Sequence, residues 1–368
     1  MPRWLVIGLL SCPALLPVTA GAGVVNPDIS VVGQPFLHWT DDPADAARER
    51  AGIELGETEF VFDSYLNPYA RGTFTVALHD GHVHLEEGYF DLVRGLPGGL
   101  ALKGGRYRAG FGRLNPEHPH VYPFAGRFRV LAAYLPGEEA LIETGLGLSA
   151  RLPAAGDVAI TAAADWLQGD SFHEDAHVHE GEGEEEEEEA GPRPAALGRL
   201  SAFLPLGERS GLDLGVSALH GTNDVAAATR TTVLGADAKA KLWTSPRSYV
   251  LLQGEWLRLD REEVHHHEEE AGPESHRLTP WGGYVFADYN FALRYNVGAS
   301  YERWQRADED RTWDQAIGLF AGFSLMEETT AFRLGWEHVR PGGDEGPAVN
   351  TLTLRVIYSM GPHRAHRF

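Results

Sequence analysis

Histidine and carboxylate recur together at several places in this chain. Imidazole with carboxylate is a donor set that suits zinc, copper or nickel better than calcium or magnesium. The sharpest of these places is the run Leu-His-Asp-Gly-His-Val-His at 78–84. Asp80-Gly81 is the signal of a two-residue hairpin turn. It makes His79 and His82 a facing cross-strand pair, and His84, two residues on, shares their face. Phe74, Val76 and Leu78 alternate onto the opposite face, so the three imidazoles point inward at a rim. A fourth position is left for water or a loop carboxylate, as zinc allows. Glu86-Glu87 interrupts the alternation directly afterwards.

Two further clusters are looser. His173, His177 and His179 lie among Glu174, Asp175 and Glu180, and His265, His266 and His267 lie between Glu262-Glu263 and Glu268. His118 and His120 follow Glu117. The stretch 172–191, FHEDAHVHEGEGEEEEEEAG, cannot bury enough apolar surface to order itself. A disordered acidic and histidine-rich loop near 170–195 is expected there, gathering zinc weakly or holding no ligand at all.

What positions these groups is a series of alternating segments. From Phe291 to Tyr301 the odd positions are Phe, Leu, Tyr, Val, Ala and Tyr, and the even ones are small, polar or charged. A period of two is a strand. Leu352, Leu354, Val356 and Tyr358 repeat the pattern, as do Phe332, Leu334 and Trp336. A soluble β-sandwich would alternate too. These runs, however, approach the length of a tilted membrane strand, and their polar faces carry full charges beside many glycines, which suits a wet lumen. Tyr65, Trp166, Trp243, Tyr289 and Trp304 sit near segment ends, where a barrel has its aromatic girdles.

The segments are 27–39, 56–66, 71–79, 82–92, 99–109, 140–151, 157–167, 197–206, 211–220, 232–243, 248–259, 281–289, 291–303, 314–324, 329–339 and 350–360. That predicts an all-β, transmembrane, antiparallel up-and-down β-barrel of about sixteen strands, with fourteen the next best count. Every second gap is short and the gaps between are mostly long, matching periplasmic turns and outer loops. Ahead of it, a positive start, an apolar run at 4–16 and small residues predict a signal peptide over 1–20, cleaved after Ala20 or Ala22. Residues 21–368 then form a single barrel. Cleavage removes Cys12, the one cysteine, so no disulfide framework is available.

A barrel of that width is not filled by its own side chains. Lumen candidates on the inward faces are Glu57, Glu59, Asp63, Lys103, Arg294, Glu302, Arg333, Glu337 and Arg355. The third outer loop, 110–139, holds FGRLNPEHPHVYPFAGRF, whose aromatics and prolines suit either an inward fold that narrows the pore or an ordinary surface loop. Net charge is −22, with the acidic excess concentrated in outer loops. Negative charge over a pore mouth favours cations, whereas inward Arg294, Arg333 and Arg355 favour anions.

The segments NPDISVVGQ, LKGGRYRAGFGRLNPEHPH, WLQGDSF and the ending GPHRAHRF resemble a family of bacterial outer-membrane proteins. That family is labelled porin-like, or a zinc-regulated TonB-dependent outer-membrane receptor. The resemblance spans most of the mature chain and implies an outer-membrane barrel tied to metal supply, with no single ligand identified. The receptor label fits the residues poorly, because such receptors have 22 strands and a plugged lumen.

The expected function is therefore an outer-membrane porin or channel for small hydrophilic solutes, with divalent zinc captured by the histidine and acidic loops as a finer possibility. The alternatives are a structural or adhesive barrel without transport, and a TonB-coupled receptor. No catalytic constellation stands out and no cofactor is required. The expected partners are outer-membrane lipid, solutes or metal ions and two further copies in a homotrimer, with no nucleic acid.

Overall fold

The computed structural model describes residues 26–362 apart from 47, 80, 138–139, 174–190, 266–273, 309–310, 326–328 and 344–345. The expected signal peptide at 1–20 and most of the acidic segment near 170–195 lie outside the described residues.

The alternating segments form a closed antiparallel barrel of sixteen staves. The last, Val349–Met360, pairs with the first. Val31 of Asp28–Gly33 stands opposite Met360, and Thr40 of Phe36–Thr40 opposite Thr351. Pro35 splits that first stave, because proline has no N–H for the ladder. Its carbonyl still accepts from the Val356 N–H at 2.9 Å. The second stave comprises Gly52–Glu54 and Thr58–Tyr65. The twelfth comprises Glu274–Leu278 and Trp281–Phe291, which both pair with Ser248–His265. The other staves are single strands.

Side-chain burial settles which face is which. The inward face carries Glu59, Asp63, Glu143, Asp237, Glu255, Asp288 and Glu302, all buried. The outward face leaves Val285, Val297, Ile317, Leu319, Leu334 and Leu352 exposed. A soluble sandwich would do the reverse. An apolar exterior around a charged interior is what a bilayer requires of a barrel, and it places the chain in the bacterial outer membrane. At the short-turn end Tyr289, Phe291, Tyr295, Phe323 and Phe332 stack in a continuous outer band, with ring centroids 5.0 to 6.4 Å apart. Trp304, expected in a girdle, is instead buried in the lumen cluster. Among the described residues no helix is long and apolar enough to cross a membrane.

Boundaries differ from the sequence expectation in two instructive ways. Gly211–Asp224, Thr229–Ser245 and Ser248–His265 run 14, 17 and 18 residues. The stretches expected as loops at 221–231 and after 260 largely continue the ladders, with Thr222 opposite Arg230 and Glu263 opposite His276. Apolar alternation stops at the lipid boundary, but backbone pairing does not. The turn expected at Asn290 lies instead at 292–294, where Ala292 and Leu293 adopt φ of 53° and 60°. Neither residue advertises a left-handed turn.

The lipid face gives a direct test. Leu319→Arg, on the outward face midway along Trp313–Ser324, should cost about 2–4 kcal/mol. Urea unfolding in lipid, compared with Leu319→Met, checks it; equal stability of the two would contradict the facing assigned here.

Candidate functional site

The described residues of 109–141, between Leu100–Arg108 and Ile142–Leu152, fold into the barrel, the first of the two readings of the third outer loop. Its middle runs through turns into a short 3₁₀ helix, Pro119–Val121, whose first position suits the fixed φ of proline, and a short α-helix, Arg129–Tyr134, follows. Its Phe111, Leu114, Tyr122, Phe124, Phe128 and Leu131 pack on wall residues Leu219, Val233, Leu257, Tyr284, Phe286 and Phe320 in one buried cluster. Phe128 lies flat on Tyr284, with centroids 3.9 Å apart and planes 13° off parallel. Gly235 makes room for Phe111, since a Cβ there would stand 2.7 Å from its ring. Burial of each such side chain contributes about 1.5–3 kcal/mol.

Polar anchors hold the loop on several sides of the wall. Buried Glu255 accepts from the backbone N–H groups of Arg113 (3.0 Å) and Leu114 (2.9 Å), and from the Tyr284 hydroxyl (2.5 Å). The Arg113 guanidinium bridges Asp237 (2.8 Å) and Asp213 (2.5 Å). Asp237 also receives Arg199 at 2.7 Å. Further round, Arg129 reaches Glu302 (3.0 Å) and Glu337 (2.6 Å). Arg333 donates to the carbonyls of His120 (2.7 Å) and Tyr122. Burial opposes the charges of Arg113 and Arg129, but the facing carboxylates outweigh it and raise both above the ordinary arginine value. Burial also pushes the Tyr122 hydroxyl up to about 12.

A fifth anchor is the densest. Thr75 pairs with Glu87 and Val76 with Leu85, so Glu86 is the extra residue of a β-bulge. That is the physical meaning of the interrupted alternation: the bulge turns both Glu86 and Glu87 inward, where both are buried. Arg108 pairs with Glu86 through its guanidinium and donates its backbone N–H to Glu87 at 2.9 Å. His118 donates Nε2–H to Glu87 (3.0 Å), and His120 donates Nδ1–H to Glu59 (2.9 Å). Gln34 spans Glu57 and Glu59, at 3.4 Å from each. Burial disfavours a charge on His118, but Glu59, Glu86 and Glu87 overcome it and hold its pKa well above the imidazole range.

Beside the loop the lumen stays open. A cavity of about 870 Å³ is lined by Asp28, Asp63, Arg71, Asp91, Lys103 and Asp165 among others. A second, of about 440 Å³, is lined by Arg113, Arg199, Asp213 and Lys239. They share Gly110, Pro116, Glu117, Ser149 and Ala163, so the two spaces adjoin along one flank of the loop. Several basic groups are already paired with the wall, Arg71 with Asp63 for one.

Of the lumen residues expected from sequence, Lys103 lies over the Tyr89 ring at 4.0 Å, and Arg355 lines a cavity of about 210 Å³ with Glu337 and Phe36. Glu302, Glu337 and Arg333 face inward as loop anchors. Arg294 does not line the wall: it sits exposed on the 292–294 turn, a correction that follows from the displaced turn. His79 does pair with His82, with Gly81 at φ 80°. His84 shares their face, opposite Ala77, but His82 and His84 are exposed, with rings 6.3 Å apart. Among the described residues, the histidines and carboxylates whose ligand atoms lie within 4.8 Å of one another are Glu59, His118 and His120, and Glu57, Glu59 and Glu86. The hairpin is not among them. His173 caps the short helix Asp170–Phe172 at the base of the acidic loop. The expected ligands His177, His179, His266 and His267, and the side chain of His265, lie outside the described residues. Sequence reasoning passed over Arg108, Arg113, Arg129 and Glu255; the cluster of prolines and aromatics in 110–139 was the only signal for any of them.

No family model matches the chain. A protein of Aquifex aeolicus (strain VF5) described as uncharacterized is 27% identical over 352 residues, covering 87% of this chain and 71% of that one. Among solved structures, the outer-membrane channel DcaP of Acinetobacter baumannii is similar with a TM-score of 0.59 and 10% identity, over 92% of this chain and 99% of that one. An anion-selective porin from Comamonas acidovorans gives 0.57 and 11%, over 91% and 99%. A trimer form of OmpT, an outer-membrane protein of Vibrio cholerae, gives 0.56 and 11%, again over 91% and 99%. The likeness is one of fold, and nothing in it supports the zinc-regulated TonB-dependent receptor label. The chain has the fold of the porin-like outer-membrane barrels.

Proposed function

We propose that the chain is a channel for small hydrophilic solutes across the outer membrane, narrowed but not sealed by its inward loop. The observation that carries this reading is the adjoining, charge-lined space of about 870 and 440 Å³ beside the docked loop. A wall of sixteen strands encloses more room than its own side chains fill. Among the described residues, the 109–141 loop is the part of the chain folded inside it. We extend the trimeric assembly of the Vibrio cholerae OmpT form to this chain as part of the proposal.

Planar-bilayer recording of the purified protein tests the channel. Discrete conductance steps are expected, together with a gel-mobility shift on boiling that reports the folded barrel. Folded protein that never conducts would favour a structural or adhesive barrel.

A further inference from the structure

The cluster under the loop holds more carboxylate than its hydrogen bonds use. Three glutamates, Glu59, Glu86 and Glu87, contact His118 or His120, and Glu57 lies beside Glu59 and Glu86. The His118 Nδ1 stands 3.2 Å from Glu59 Oε2 and 3.4 Å from Glu86 Oε2. Yet neither of those carboxylate oxygens makes a hydrogen bond, although both side chains are more than nine-tenths buried. Bonds of about 2.0–2.1 Å to a tetrahedral zinc put neighbouring ligand atoms about 3.3 Å apart. The 3.2 Å between His118 Nδ1 and Glu59 Oε2 is close to that value.

We propose that Glu59, His118 and His120 form a three-ligand binding site for a divalent transition-metal cation of the zinc class, with the fourth position left to water. This site would clamp the inward loop to the wall. Nitrogen and carboxylate donors together select that class over magnesium or calcium. The supporting shell is already in place. Glu87 takes the other ring N–H of His118 at 3.0 Å, the usual partner that orients a ligating imidazole. Arg108 occupies the other oxygen of Glu86, and Gln34 steadies Glu59. The loop supplies both imidazoles two residues apart around Pro119, while the Thr58–Tyr65 strand supplies the carboxylate ligand and the bulge its neighbours. The rival occupant is a proton on His118, which would make the same cluster a plain ion-pair latch. The site is distinct from the His79/His82/His84 hairpin and from the outer histidine loops, and it does not depend on whether the barrel conducts.

The test is zinc titration of the full-length, detergent-purified protein after chelator treatment. Wild type is expected to take up a single tight equivalent. That equivalent should persist in a His79/His82/His84→Ala variant lacking 172–189 and disappear in Glu59→Gln. Glu87→Gln, which removes only the outer partner, should weaken it by about 10–100-fold. The gel shift on boiling confirms that each variant is folded. Zinc-edge X-ray absorption of wild type should count two imidazoles, a readout that needs no variant. Absence of tight binding, three imidazoles, or retention of the equivalent by folded Glu59→Gln would each overturn the site.

Discussion

Phe128→Ala combined with Arg129→Ala should convert the narrowed pore into a wide one. Phe128 is buried and stacked on Tyr284 at 3.9 Å, and truncating a buried phenylalanine costs about 3–5 kcal/mol. Arg129 joins the loop to Glu302, which is 1% exposed, and to Glu337. Because Arg129 itself is more than a third exposed, its loss adds less, about 1.5–3 kcal/mol for hydrogen bonds to charged partners. Even the lower of the Phe128 figures shifts the balance between docked and released loop by more than about a hundred-fold. Single-channel conductance should rise several-fold in the double variant while the mobility shift on boiling is kept. A folded double variant with wild-type conductance would mean that the loop does not govern the width of the pore.

The second large effect concerns charge. The 870 Å³ cavity carries Asp28, Asp63, Asp91 and Asp165, and its arginines Arg71 and Arg108 are tied to wall carboxylates. A single charge within about 4 Å of a passing ion is worth about 1 kcal/mol in water-like surroundings, roughly a five-fold change in local concentration. Asp28→Asn with Asp91→Asn should therefore cut cation preference several-fold in dilute salt, and the difference should fade as the screening length shrinks towards 3 Å near 1 M. Reversal potentials across a salt gradient provide the measurement. Anion preference in wild type would refute this account and would instead credit Arg333 and Arg355. Deleting 174–189 separates the outer acidic segment from the lumen in the same experiment.

How much of this was written in the sequence depends on the range of the interaction. Alternation is local, so the strands, their facing and the closure into sixteen staves could be read from runs such as 291–303 and 350–360. Where local chemistry was silent the reading slipped: Ala292-Leu293 makes a left-handed turn without glycine or asparagine, and Arg294 was carried off the wall with it. The break at Glu86-Glu87 was visible, but a doubled glutamate does not announce a bulge. The loop anchors were hidden for a different reason. His120 meets Glu59 across 61 positions and Arg113 meets Asp237 across 124. Nothing in the periodicity of either partner refers to the other. Inward charges such as Glu302 and Arg333 were found, but their work as holders of the loop was not.

Those spans also impose an order of assembly. Arg129 is bound by Glu337, 208 positions later in the chain, and Arg333 grips the carbonyl of His120, 213 positions earlier. The loop cannot take its final seat until the strands Tyr295–Gln305 and Thr330–Arg340 have been laid down. Closing entropy for contacts of such sequence separation must be met before they stabilise anything. Insertion of those two strands thus precedes or accompanies the seating of 109–141. On that order, Arg113, Arg129 and the carboxylates they face stay hydrated until the later strands arrive, and the inward loop is expected to be among the last parts of the molecule to become ordered.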